Sequence, residues 1–134
     1  MNERHNILHR HRRVVLGVLI VLWVFAFVVT HIPAERVPPI GLKDTSLHLL
    51  GFLALGAMGL LTLLAYRVGK GRRITLVISL AAIYAGVDEI TQPLVGRADS
   101  LQDWIADLAG AILAVLLFEL TVVAISARRR ARAD

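Results

Sequence analysis

Four apolar runs, at about 14–30, 45–67, 74–90 and 103–127, are each long enough to cross a bilayer, and they leave this chain few ways to fold. In lipid every backbone N–H and C=O must be paired within the spanning segment, which favours helices. The expected fold is therefore all-α, an integral membrane bundle of four antiparallel transmembrane helices forming a single domain over 1–134. Of the 134 residues 57% are hydrophobic, above the usual apolar share of a soluble domain. Four spans leave no length for a separate soluble domain. The net charge of +5 would suit nucleic acid if the basic residues formed a patch. They flank apolar runs instead, as in membrane proteins, so a nucleic-acid partner is not expected. With no cysteine in the chain, disulfide and thiolate chemistry are excluded.

Met1 to Arg13 carries Arg4, Arg10, Arg12, Arg13 and three histidines, His5, His9 and His11. It reads as a solvated basic flank rather than a metal tract. Basic residues before the run Val14 to Thr30 also fit a signal peptide, but the run is longer than an h-region. The following HIPAER offers no small-x-small cleavage site, so an uncleaved first helix is expected. His31 to Lys43, with Pro33, Pro38 and Pro39, reads as a short irregular outer loop. Twelve of the fifteen Lys and Arg residues lie in the N-terminal segment, the loop Arg67 to Arg73 and the C-terminal ARRRARAD. By the positive-inside rule both termini face the cytoplasm, with the basic clusters placed as in an inner-membrane protein.

Between the third and fourth runs the stretch Asp88 to Gly110 holds five carboxylates, an arginine and two glutamines. An ionisable group costs roughly 2.5 to 3.5 kcal/mol at a membrane-helix centre, so such a concentration calls for a function. Asp44 and His48 share a helix face by their i, i+4 spacing, which Gly51, Phe52, Leu55 and Gly59 continue. Ala82, Ala85, Gly86 and Gln92 lie on the side of Glu89. Asp103 and Asp107 are one turn apart, above Gly110 and Ala114. With four spans, Asp44, His48, Asp88, Glu89, Gln92, Arg97, Asp103 and Asp107 converge on the extracytoplasmic end.

His48, Glu89 and Asp103 are the candidate catalytic residues, His48 as a base or acid oriented by Asp44 and Glu89 as a proton carrier. Asp44, Asp88, Gln92, Arg97 and Asp107 are the candidate ligand-binding set, with Arg97 suited to a phosphate or carboxylate. Asp103 and Asp107 can hold a divalent cation together with Glu89 or His48, but no His-rich signature is present, and neither a metal nor a cofactor is assigned. A purely structural role competes with each assignment, since polar side chains in membrane helices also bond across helices. Gln92 is then an interhelical link, Asp88 and Asp99 are solvated rim charges, and Ser100 or Asp99 caps the last helix. Trp23 and Trp104 read as lipid-facing or interface aromatics. Glu119 has no expected role beyond a packing partner or a snorkelling acid.

The pattern Asp44-x3-His48 with Phe52 and Gly56, then Asp88-Glu89-x2-Gln92, Arg97-x2-Ser100, Asp103 and Gly110, resembles the VanZ-like family of small bacterial membrane proteins. The resemblance covers residues 43–114. The family usually has lysine where this chain has Thr45, and asparagine where it has Asp107. Its namesake is associated with resistance to the lipoglycopeptide teicoplanin. The location of the polar cluster suggests a multi-pass protein acting at the cell envelope on a lipid-linked cell-wall precursor or a lipoglycopeptide-type ligand, and the resemblance adds a teicoplanin-type resistance role as an expectation. The alternatives are a membrane-embedded acid–base enzyme acting on a lipid headgroup, a small proton-coupled transporter, or a scaffold whose polar groups specify packing. Membrane lipids are the expected partners.

Overall fold

The structure, a computed structural model, describes residues 3–36 and 41–132. Pro38 and Pro39 of the expected outer loop lie outside the described residues. The chain forms α1 (Glu3–Arg10), α2 (Arg12–Thr30), α3 (Asp44–Ala65), α4 (Lys70–Thr91) and α5 (Leu101–Arg130), with short 3-10 turns at Ala34–Arg36 and Gln92–Val95. No strand occurs among the described residues. Four helices are long and apolar enough to cross a membrane.

Two boundaries differ from the hydropathy reading. The basic flank is helical from Glu3, and only His11 separates it from α2. It is held by its own side chains, because the His9 Nδ1–H donates to the Ala65 carbonyl at 3.1 Å while Arg12 donates to the other ring nitrogen at 2.6 Å. The third span begins at Lys70 rather than near Ile74, because Arg73 is drawn into the bundle. Its guanidinium donates to Glu119 at 2.7 Å and lies over the Phe118 ring. Glu119, with no role legible in the sequence, is thus the counter-ion of a buried arginine, and Lys70 adds a second cation at 3.1 Å.

Between α3 and α4 the chain turns in four residues. The amide of Val68 bonds to the Leu63 carbonyl and that of Arg67 to the Leu64 carbonyl, while Arg67 takes the left-handed conformation at φ 62°. This is the paired termination that usually recruits glycine.

Cross-helix neighbours give the directions. His48 meets Asp107, Leu49 meets Gly110, and Gly56 meets Ala111 and Ala114, so α3 and α5 run parallel. Arg73 meets Glu119, and Glu89 reaches Ser100, so α4 runs against α5. His9 lies at Ala65, at the far end of α3 from Asp44, so α2 runs against α3. Consecutive spans therefore alternate, and the tightest contact joins two helices that are not consecutive.

Small residues make that contact possible. A Cβ on Gly110 would run into the carbonyl oxygen of Leu49 and lie 3.0 Å from the Leu53 amide nitrogen, and one on Gly56 would meet the Ala114 methyl at 2.9 Å. Lipid tails are as apolar as leucine, so helices associate in membranes through close van der Waals packing rather than exclusion from water. Leu60, Val77 and Ala114 form the centre of the core. By contrast α2 buries no residue fully, and Val21, Val24, Phe25 and Val28 along it remain exposed for lipid.

Candidate functional site

The parallel register of α3 and α5 builds the site. Asp44 and His48 stand one turn apart on α3, and Asp103 and Asp107 one turn apart on α5, so each pair faces the other across the small-residue seam. His48 and Asp107 meet at 3.0 Å between Nδ1 and Oδ1, with Asp107 fully buried and His48 nearly so. An ionised carboxylate only accepts, so the imidazole donates through Nδ1, and in the neutral ring the lone pair then lies on Nε2. The residue that orients His48 is therefore Asp107 on the neighbouring helix. Asp44, expected in that role from its i, i+4 spacing, is half-exposed and instead forms an ion pair with Arg97.

Arg97 owes its position to the turn before it. Gly96 adopts φ +75°, which a side chain would disfavour. Its amide bonds back to the Pro93 carbonyl and that of Arg97 to the Gln92 carbonyl, both at 3.2 Å. The chain is thereby folded over the end of α4, and Arg97 reaches both Asp44 and, at 3.5 Å, the Ile32 carbonyl. It fastens the start of α3 to the segment after α2.

Asp88 and Glu89 are both buried and point to different neighbours. Asp88, expected as a rim charge, is fully enclosed. One oxygen accepts from the Thr30 hydroxyl at 2.7 Å and the other from the Gln92 amide at 3.0 Å. Burial removed it from the rim because the end of α2 crosses it. Gln92 serves Asp88 within its own chain segment rather than linking two helices. Glu89 accepts the backbone N–H of Ser100 at 2.6 Å, and the Ser100 hydroxyl accepts from the Asp103 amide at 3.2 Å. Ser100 thus caps the start of α5, and Glu89 ties that start to the end of α4.

All eight residues singled out by sequence lie at this one end, opposite the chain termini. The structure adds Thr30, His31 and Thr91. The His31 ring donates to the Phe27 carbonyl at 2.8 Å, lies 2.8 Å from the Thr91 hydroxyl, and approaches Asp88 at 3.7 Å. A Thr-His pair closing an apolar run was the available signal, and hydropathy passes over it. Tyr84 stacks on Phe52 and donates to the Trp23 carbonyl at 3.3 Å, which joins Trp23 to the bundle rather than leaving it to lipid alone.

The electrostatics are unbalanced. Asp88, Glu89, Asp103 and Asp107 are all buried, and among the described residues only histidines come within 4.0 Å of any of them as basic partners. His48 Nε2, Glu89 Oε1, Asp103 Oδ1 and Asp107 Oδ2 are buried without a hydrogen-bond partner in the described structure. Unmade hydrogen bonds at buried charged atoms cost far more than made ones return. Such a cluster is satisfied by protons, ordered water, a cation or a ligand.

A cavity of about 420 Å³ opens on this cluster. Its walls are apolar, from Leu22, Phe25 and Val29 of α2 to Leu47 and Leu55 of α3, and Asp44, His48, Asp88 and Arg97 contribute to its lining.

No curated protein and no solved structure matches the chain significantly. The model of the family described as VanZ/LLP1 matches residues 6–122, a wider span than the motif-bearing 43–114, and includes α2. With four helices able to cross a membrane and a family match over most of its length, the chain is a multi-pass membrane protein belonging to the VanZ/LLP1 family.

Proposed function

We propose that this protein lies in the bacterial cytoplasmic membrane with both termini in the cytoplasm, and that its polar end faces outward and holds the anionic head of a membrane-resident amphiphile. A lipid-linked cell-wall precursor and a lipoglycopeptide share that chemistry, an apolar chain ending in a phosphate or carboxylate. The supporting observation is the cavity between α2 and α3, with apolar walls and Arg97 at its polar end. The apolar chain lies along α2, which packs without a fully buried residue and leaves a lateral path from lipid. The head displaces Asp44 from part of the Arg97 fork, whose planar donors match phosphate or carboxylate.

Hydrogen bonds to charged groups contribute roughly 1.5 to 3 kcal/mol, so Arg97→Ala is expected to weaken binding of a polyprenyl phosphate about tenfold or more. Native mass spectrometry of the detergent-purified protein titrated with that lipid measures it. Undiminished binding by a folded Arg97→Ala protein would end this reading.

The orientation has its own test, because the chain has no cysteine. Asp99→Cys is expected to react with a membrane-impermeant maleimide from outside intact cells, and Arg72→Cys only after permeabilisation. The reverse pattern would invert the topology and place the polar end in the cytoplasm.

A further inference from the structure

Two groups of potential metal ligands share His48 at the polar end, the first being His48, Asp88 and Glu89. Glu89 lies on the Nδ1 side of the ring, with its Oε1 4.0 Å from Nδ1. Asp88, in the same group, has both oxygens engaged by Thr30 and Gln92. The second group is Asp44, His48 and Asp103, each offering one ligand atom, with all three atoms within 4.8 Å of one another. Two of its members, His48 and Asp103, are more than nine-tenths buried, and each retains a partnerless atom, Nε2 and Oδ1.

We propose that Asp44, His48 and Asp103 form a site for one divalent first-row cation, with the His48 Nε2 and one oxygen from each carboxylate as ligands. Four features support it. The Nδ1–H of His48 is donated to Asp107 at 3.0 Å. A metal-binding histidine characteristically gives its other N–H to a carboxylate, which fixes the tautomer and turns Nε2 toward the ion. The donor set is one nitrogen and two carboxylate oxygens, suited to Mn²⁺, Fe²⁺ or Zn²⁺ and harder than a thiolate or all-imidazole site. The ligands come from two parallel helices in fixed register, two of them one turn apart on α3. A cation also offsets part of the uncompensated charge of four buried carboxylates. Asp44 and His48 both line the cavity, which gives the ion an entry path and leaves coordination positions for water or an anionic group.

The test uses the full chain in detergent, stripped with a chelator and titrated with Mn²⁺ alone, free of lipid phosphate, so that its outcome is independent of the amphiphile reading. Continuous-wave electron paramagnetic resonance counts bound Mn²⁺, and pulsed measurements detect ¹⁴N coupling from a ligating imidazole. One Mn²⁺ per chain with ¹⁴N coupling is expected. His48→Gln is expected to abolish the coupling, and Asp103→Asn to weaken binding by at least about tenfold. Asp107→Asn, which removes the charge orienting the imidazole, is expected to weaken binding about 10- to 100-fold while the ¹⁴N coupling remains. Asp99→Asn, the same charge change at an exposed position, is expected to leave the affinity unchanged.

The histidines of the N-terminal segment are the rival binders. A His5→Gln, His9→Gln, His11→Gln triple variant is expected to keep both stoichiometry and coupling, and this holds even if His48→Gln fails to fold. No stoichiometric binding by the wild type, coupling lost in the triple variant, or binding unchanged in Asp103→Asn would each overturn the proposal.

Discussion

Gly110→Ala is expected to be the most damaging single methyl in the molecule. The Cβ would be driven into the Leu49 carbonyl oxygen, with the Leu53 amide nitrogen at 3.0 Å and the Leu49 carbonyl carbon at 3.1 Å. All three are backbone atoms of α3, so no rotamer change makes room, and the helices must separate. Overpacking of a well-filled core costs roughly 1 to 3 kcal/mol, and a backbone obstacle belongs at the upper end or beyond. Separation of α3 from α5 also pulls His48 away from Asp107, one turn below Gly110 on α5. A lowered thermal midpoint in detergent, together with loss of polyprenyl-phosphate binding, is the expected pair of results. Gly17→Ala is the control. A Cβ there meets nothing within 4 Å, and alanine is the better helix former by about 1 kcal/mol. Equal midpoints for the two variants would mean that α3 and α5 do not pack backbone to backbone.

The second large effect lies at the opposite end. Glu119→Leu leaves Arg73, only 5% exposed, without its carboxylate partner at 2.7 Å. Breaking a buried ion pair by removing one member is expected to cost roughly 3 kcal/mol, because the remaining charge is uncompensated. Replacing both members by apolar residues is often neutral. Arg73→Met with Glu119→Leu is therefore expected to recover most of the stability lost in Glu119→Leu alone. Thermal unfolding in detergent across the four proteins of this cycle measures the coupling. A double variant as unstable as the single one would mean that Arg73 and Glu119 each hold other contacts of equal weight.

The pair also bears on transport. Within the four long helices Glu119 is the acid nearest the other end, and Arg73 and Lys70 engage both its oxygens. A carboxylate held in this way is a structural anchor, a poor member of a proton relay. Among the described residues four buried side-chain atoms at the far end lack a partner, against one, the Arg73 Nε, at this end. The chemistry is concentrated where the cavity opens.

Much of this was legible in the chain itself. The spans follow from hydropathy because the bilayer sets helix length and forbids unpaired backbone, so composition and run length decide the matter without knowledge of neighbours. The gathering of Asp44, His48, Asp88, Glu89, Gln92, Arg97, Asp103 and Asp107 at one end follows from counting spans. The capping role of Ser100 is local chemistry, visible three residues ahead of Asp103. The motif from Asp44 to Gly110 sufficed to suggest the family.

Partners were not legible. Periodicity tells which residues share a face of one helix but never which helix the face meets, and helices that are apolar on every side carry little amphipathic signal to choose between lipid and protein. So Asp44, one turn from His48, was the natural partner by spacing, yet the parallel docking of α5 gives His48 to Asp107 and leaves Asp44 to Arg97. Asp88 looked solvated at a helix end until Thr30, from the first span, closed over it. Glu119 had no role until Arg73 was found inside the bundle. The sequence by itself determined how many helices cross the membrane and which end of them carries the charge, because those depend on each residue's own affinity for lipid or water. Only the tertiary structure decided which charge meets which, because that depends on the close approach that Gly56, Gly110, Ala111 and Ala114 allow between two helices far apart in the chain.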